Sequence, residues 1–441
     1  MAKNKIRDLG DGLVLRHATR DDEEALVQFN REIHGENEWD SRGLDEWTRD
    51  LISGEGPTFA TGDFTIVEDT HTGQIVSSCC LISQTWTYEG IPFKVGRPEL
   101  VGTHKDYRRR GLVRAQFDVI HEWSAKRDEL VQVITGIPFY YRQFGYAMAL
   151  NLSGGRFGDE MNLPVLKEDE KEPYTLRPAK KKDLPFLMAL YEQGCQRSLI
   201  STVWDEALWH YEISGKRQYN INRRELFIIE DKQKEAVGFI AIPPLKWGHS
   251  NMLNLFEIAE GVAWADVAPS VIRFLWQNGL EKAAEQDAEQ KIFGFWLGES
   301  HPAYAVAASR LPRERKPYAF YTRIPDLAAF LKVIQPVLEA RLAKSAFMNY
   351  TGELKLSFYL DGLLLKFEKG QITEISNLSC DELEKSQAQF PPHTFLHLVF
   401  GHRTVAELSK THIDCATQNE ETANLINALF PKKPSEVWPI S

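Results

Sequence analysis

Along this chain, stretches with apolar side chains at every second position alternate with stretches whose apolar positions recur at helical spacing. Phe64-Thr65-Ile66-Val67-Glu68-Asp69 followed by Ile75-Val76 predicts a hairpin around a charged turn. Phe227-Ile228-Ile229-Glu230-Asp231 followed by Ala236-Val237 predicts another. The apolar run ending at Val101-Gly102-Thr103 predicts a strand, Ala115 to Arg127 a helix, and Val131-Gln132-Val133-Ile134-Thr135 a buried strand. Strands and helices in this mixture place the chain in the α/β (α+β) class.

The pattern repeats. Leu15-Arg16-His17-Ala18-Thr19-Arg20-Asp21-Asp22-Glu23-Glu24-Ala25-Leu26 recurs as Leu176-Arg177-Pro178-Ala179-Lys180-Lys181-Lys182-Asp183-Leu184-Pro185-Phe186-Leu187, with Leu, Arg, Ala, Asp and Leu matching at one offset. Each copy predicts a short strand, a turn and an amphipathic helix whose acidic or proline-containing first turn suits a helix start. Two similar domains in tandem are expected, 1–158 and 159–325, separated by the polar, turn-rich stretch from Gly154 to Pro173.

After Pro325 the texture changes. A helix is predicted over roughly 326 to 343, followed by strands Gly352 to Leu360 and Leu363 to Phe367 joined by Asp361-Gly362, a two-residue hairpin signal. Helical spacing returns from Pro392 to Gly401 and from Asn419 to Phe430, which makes 326–441 a third part.

A chain of 441 residues exceeds one compact core, and 43% hydrophobic with 11% aromatic residues excludes a disordered protein. The net charge of −10 disfavours nucleic acid and favours cationic small molecules. Five cysteines without paired spacing predict a reducing compartment and no metal site. Neither a signal peptide nor a run of ~20 apolar residues occurs, so a soluble cytoplasmic protein without a membrane partner is expected.

Chemistry concentrates where the strand ending at Thr103 breaks at Arg108-Arg109-Arg110-Gly111 and restarts as a helix. Amides in the first turn of a helix lack acceptors, the dipole is positive there, and glycine lets an anion approach the main chain. The pattern Arg108-x-x-Gly111-x-Val113 resembles the Arg/Gln-x-x-Gly-x-Gly/Ala loop of the GCN5-related N-acetyltransferases (GNAT), which holds the pyrophosphate of acetyl-CoA. Val113 departs from the last position, keeping the amide and adding bulk. Arg108 to Val113 is similar to the variant found in the Eis-like (enhanced intracellular survival) branch. Leu398-Val399-Phe400-Gly401 followed by Val405-Ala406-Glu407-Leu408 resembles the sterol-carrier-like domain that closes Eis-type chains.

The resemblance implies a catalytic GNAT domain, a degenerate second one and a sterol-carrier-like C-terminal domain, assembled as a homo-oligomer with a hexamer as the candidate. The second copy is read as degenerate because Gly261 to Ser270 carries no arginine and Asp266 would repel phosphate. The implied reaction moves acetyl from acetyl-CoA, a cosubstrate, to a primary amine by direct attack, and the acceptor class is a cationic small molecule resembling an aminoglycoside or polyamine. Acetylation of a protein lysine or N-terminus, or a non-catalytic lipid- or peptide-binding module, are the alternatives.

The resemblance also implies roles. Arg108, Arg109, Arg110, Gly111, Leu112 and Val113 would bind the pyrophosphate, and Val101, Gly102 and Thr103 the pantetheine arm. Tyr141, in Tyr141-Arg142-Gln143-Phe144-Gly145-Tyr146, would be the general acid, since a phenol with pKa near ~10 stays protonated at neutral pH. Tyr140, Phe144 and Tyr146 are read as packing, and His104 as solvent-facing in preference to a base. The apolar tail Val437-Trp438-Pro439-Ile440-Ser441 is expected to dock, and the α-carboxylate of Ser441 is the implied general base. Glu36, Glu38, Trp39 and Asp40 would line the acceptor side through ion pairs and cation–π contacts, or form a solvated acidic loop.

Overall fold

The computed structural model describes residues 5–246 and 248–438. The first lobe contains, in chain order, β1 (Lys5–Gly10), β2 (Leu13–His17), α1 (Glu23–His34), α2 (Glu38–Ser53), β3 (Phe64–Asp69), β4 (Gln74–Tyr88) and β5 (Ile91–Thr103). It continues with α3 (Leu112–Lys126), β6 (Val131–Thr135) and β7 (Ala147–Leu152). β4 and β5 form one long hairpin, closed by Glu89 and Gly90, which both take the positive φ that a tight hairpin turn requires. Both α1 and α2 bury apolar faces, Leu26 with Trp47, Leu51 and Ile52, on one side of the sheet. α3 packs Phe117 and Ile120 on the other.

The second lobe runs through β8 (Gly155–Asp159), β9 (Thr175–Pro178), α4 (Leu184–Cys195), β10 (Ile200–Thr202), α5 (Glu206–His210), β11 (Glu225–Glu230) and β12 (Ala236–Ile242). There follow β13 (Ser250–Leu253), β14 (Leu255–Ile258), α6 (Trp264–Glu285), β15 (Ile292–Phe295), α7 (Pro302–Ala307), β16 (Arg313–Arg315) and β17 (Tyr318–Arg323). Arg16 and Arg177 confirm the repeat in three dimensions. Each guanidinium spans an aspartate six residues on and a glutamate of the neighbouring strand, Asp22 and Glu68 in one copy, Asp183 and Glu230 in the other.

The lobes exchange strands. Among the described residues the first sheet runs β1-β2-β3-β4-β5-β6-β17-β7, with β10 on the free edge of β4. Thus β17 enters between β6 and β7, while β8, from the end of the first lobe's sequence, enters between β15 and β16. Divisions after residues 158 and 325 therefore do not coincide with the sheets, because main-chain pairing and not linker polarity decides where Gly155–Asp159 and Tyr318–Arg323 belong.

The third part has five short strands in the order β20-β19-β18-β21-β22, with β18 (Gly352–Ser357), β19 (Gly362–Glu368), β20 (Gln371–Asn377), β21 (Ala388–Gln389) and β22 (Ala416–Thr417). Its helices are α8 (Leu327–Val333), α9 (Gln335–Ala343), α10 (Leu396–Val399), α11 (Val405–Thr411) and α12 (Glu420–Leu429). Two expectations change here. The helix over 326–343 is two helices, since Pro336 opens α9 and cannot continue α8. The hairpin turns through Phe358 to Asp361, where the Phe358 amide bonds the Asp361 carbonyl and Tyr359 has positive φ, so Gly362 is the first strand residue.

The apolar interior of this part is continuous with the lower end of the first sheet, joining Trp86, Tyr88 and Phe93 to Phe330, Leu338 and Phe400. The Tyr88 hydroxyl donates to the Val399 carbonyl at 2.7 Å. No helix among the described residues is long and apolar enough to cross a membrane.

Candidate active site

The site grows from one irregularity in β5. Cys80 pairs with Glu99 and Ser78 with Gly102, so Leu100 and Val101 together face Cys79, and Leu100 takes φ of 50°. Such a bulge bends its strand. The parallel ladder between β5 and β6 consists of Val95 with Val131 and Gly96 with Gln132, and beyond Gly96 the strands part. On its other edge β6 pairs with β17 from Gln132 to Thr135. The edge of β5 from Arg97 to Thr103 is thereby left without a strand partner on that side, and it leads straight to the start of α3.

Gly111 is the residue before that helix, with φ of 75° and open space around the position of a Cβ. The first helical bond runs from the Ala115 amide to the Gly111 carbonyl, which leaves the amides of Leu112, Val113 and Arg114 pointing outward. Arg108, Arg109 and Arg110 are exposed around them. Arg110 bonds Asp11 at 3.2 Å and Arg108 reaches the Thr103 carbonyl at 3.5 Å. Val101 and Thr103 are half-buried at the parting, whereas Gly102 points to the opposite face, where a Cβ would strike Ile33 at 2.8 Å. An extended ligand with a terminal diphosphate fits this edge and helix start.

Tyr141 stands in a short 3-10 turn after β6, 4% exposed, among Cys79, Phe117, Ile134 and Tyr321. Burial, reinforced by the nearby charge of Glu99, pushes its phenol above the ordinary tyrosine value. It therefore holds its proton at neutral pH. Tyr146 is occupied otherwise, since its hydroxyl meets Nε2 of His121 at 2.9 Å. Phe144 stacks on Phe117 with centroids 4.5 Å apart, and Tyr140 packs edge-on against Tyr141 at 5.1 Å. Nδ1 of His104 accepts the Asp106 amide at 3.4 Å and the side chain is half-exposed.

The proposed acceptor residues are not gathered at Tyr141. Asn37 caps α2, so Glu38 and Asp40 fall in its first turn, where negative charge suits the dipole, while Glu36 is exposed. The Trp39 indole donates to the Gln286 carbonyl at 3.2 Å, and Arg42 lies 3.7 Å over the Tyr219 ring. This segment joins the first lobe to the second.

Other groups occupy the acceptor face. Arg97, fully buried, donates from Nη2 to Glu99 Oε1 at 2.6 Å, and its Nε and Nη1 have no partner. Glu99 is 7% exposed; burial raises its carboxyl, opposed by Arg97. His34, at the end of α1, is held to about 4 by burial, bonds the Leu100 main chain, and presents an unpartnered Nε2 to the bulge. An arginine and a glutamate two apart inside a buried strand is the sequence signal that would have singled out Arg97 and Glu99; His34 carries none. Ser441 lies outside the described residues. Trp438, the last of them, stacks on Trp204 at 4.4 Å, and its carbonyl accepts the Trp204 indole N–H at 2.9 Å.

A strand pair opened by a bulge beside a helix start defines the cleft of an acyl-CoA-dependent transferase. Residues 14–149 match the acetyltransferase (GNAT) domain family, so the first lobe contains a GNAT domain. No curated protein matches the sequence. Among solved structures, a GCN5-related N-acetyltransferase from Kribbella flavida superposes with a TM-score of 0.62 at 15% identity, covering 96% of this chain and 97% of that one. A conserved protein of unknown function from Enterococcus faecalis V583, a probable N-acyltransferase, gives 0.62 at 11%, with coverages of 96% and 97%. Eis1 from Mycobacterium abscessus gives 0.58 at 12%, covering 96% and 98%. At such identities the likeness establishes a shared fold over the whole chain, two GNAT lobes followed by an α+β domain.

Proposed function

We propose that this protein is an Eis-like N-acetyltransferase that moves acetyl from acetyl-CoA to a primary amine of a cationic small molecule. The observation that carries the reading is the continuity of the parted β5 edge with the Gly111 helix start. The thioester carbonyl then lies beside the Leu100–Val101 bulge, where a main-chain amide can stabilise the oxyanion as the amine attacks. The C–S bond breaks as the tetrahedral intermediate collapses, and Tyr141 protonates the departing thiolate. The amine loses its proton to a base. The α-carboxylate of Ser441 is one candidate, and Glu99, whose charge is felt at Tyr141, is the candidate within the described residues.

The C-terminal part is read as sterol-carrier-like in fold. Its interior is continuous with that of the first lobe, which favours a structural role over lipid carriage. Calorimetry with acetyl-CoA tests the reading: one molecule should bind per chain, and Gly111→Asp should abolish binding through strain at positive φ and repulsion of phosphate. Unaltered binding in Gly111→Asp would remove the assignment. Release of CoA in the presence of aminoglycosides, polyamines or lysine peptides then identifies the acceptor class.

A further inference from the structure

Strand β17 belongs by sequence to the second lobe, yet it lies against the turn that carries Tyr141 in the first. Tyr321 stands beside Ile134 of β6, fully buried, and its ring meets that of Tyr141 edge-on with centroids 5.5 Å apart. Its hydroxyl donates to the Ile137 carbonyl at 3.4 Å and is also reached by the Phe139 amide. Tyr318, at the start of the same strand, donates from its hydroxyl to the Gly136 carbonyl at 2.7 Å.

These bonds fall on a stretch with no apolar anchorage of its own. Between Thr135, where β6 ends, and Tyr140, where the 3-10 turn begins, Ile137, Pro138 and Phe139 are all exposed. Phe139 takes φ of 72°, a left-handed conformation that a bulky residue keeps only when its surroundings impose it. Gly136, at the other end of the loop, faces the ring of Tyr141. Tyr141 has no hydrogen bond among the described residues, so the place of its hydroxyl follows from the rings around it and from the backbone that leads to it.

We propose, on the reading of Tyr141 as general acid, that Tyr318 and Tyr321 are positioning residues for acetyl transfer: by tying the 136–139 loop to β17 they hold the Tyr141 hydroxyl where it protonates the departing thiolate. Both of their hydroxyls are spent on loop carbonyls, and the proton delivered to sulfur is that of Tyr141. The second lobe, whose own helix start lacks the arginines and glycine of the first, thereby acts on the chemistry of its neighbour.

The test is turnover of acetyl-CoA with spermidine, read as CoA release, in the full chain carrying Tyr318→Phe together with Tyr321→Phe, a change that keeps both rings. kcat should fall about tenfold or more while KM for acetyl-CoA stays within about twofold. In a Tyr141→Phe background the same pair should change kcat by less than about twofold, because nothing is left to position. A loss of similar size in both backgrounds would mark a merely structural role and overturn the proposal, as would unchanged kcat in the Tyr318/Tyr321 pair alone. Full activity in Tyr141→Phe would instead overturn the general-acid reading, and the proposal with it. Incorporation of 3-fluorotyrosine at position 141 gives a measurement that needs no acceptor: the fluorine resonance should shift or broaden by exchange when the two hydroxyls are removed, and an identical resonance would overturn the proposal.

Discussion

Gly136 lies flat over the ring of Tyr141, so close that a Cβ there would stand 2.7 Å from Cε2 and 3.3 Å from the hydroxyl oxygen. The glycine sets the height of the ring in the cleft. If Tyr141 is the general acid, Tyr141→Phe should lower turnover by ~10² to 10⁴ and leave acetyl-CoA affinity nearly unchanged. Gly136→Ala should combine a similar loss with about 2 kcal/mol of destabilisation from overpacking. Turnover and chemical denaturation measure the two effects, and full activity in Tyr141→Phe would end the acid role.

Glu99 can be separated from Ser441 as the base. Glu99→Gln leaves Arg97 buried without its counter-charge and should cost roughly 3–5 kcal/mol of stability. Arg97→Met with Glu99→Leu should recover most of that stability but, if Glu99 is the base, none of the activity. Extending the chain beyond Ser441 should instead lower the acidic limb of the rate profile if the terminal carboxylate takes the proton. Retention of turnover in the Arg97/Glu99 double variant would leave the terminal carboxylate as the remaining candidate.

Three half-buried histidines, His121, His397 and His402, should make the fold acid-labile. Burial holds His121 and His397 at about 3 and His402 at about 4. Nδ1 of His397 and Nδ1 of His402 meet at 2.9 Å, and His402 Nε2 meets Asn151 Oδ1 at 3.1 Å. Because the Asn151 oxygen can only accept, His402 donates from Nε2 and accepts at Nδ1 from His397. The native state binds fewer protons than the unfolded chain between the ordinary histidine pKa of ~6.5 and these lowered values, so stability falls as pH drops through that window. Each ring should cost about 2 kcal/mol by pH 5. Melting followed from pH 8 to 5 should show a steep decline, shallower in His402→Gln; an identical slope in that variant would contradict the assignment.

Trp438 anchors the tail on Trp204, Trp209 and Tyr191. Trp438→Ala should destabilise by about 3–5 kcal/mol, read as a lower denaturation midpoint. A midpoint within error of the unaltered protein would mean that the tail contributes nothing to folding.

Local signals served the sequence reading well wherever a backbone conformation depends on neighbours in the chain. The Gly111 helix start, the buried β6 strand and the Leu15/Leu176 repeat are all of that kind, because glycine at positive φ, alternation and capping are written in short windows. The Leu100 bulge, the partners of Trp39 and the insertion of Tyr318–Arg323 between β6 and β7 are set by distant segments, and no short window contains them. Arg97 and Glu99 were visible as charges, but their meaning depends on burial that only the assembled sheet creates.

The exchange of β8 and β17 bears on how this protein can be made. Phe320 takes its place beside Thr135, about 185 residues earlier in the chain. At ~5–20 residues per second, a translating ribosome needs on the order of 10–40 s to cross that interval. Throughout that time the nascent first lobe offers an unfilled slot between β6 and β7 to any extended segment, its own or a neighbouring polypeptide's. Folding helpers that shield strand edges, and not lobe-by-lobe completion, are what such a birth order calls for.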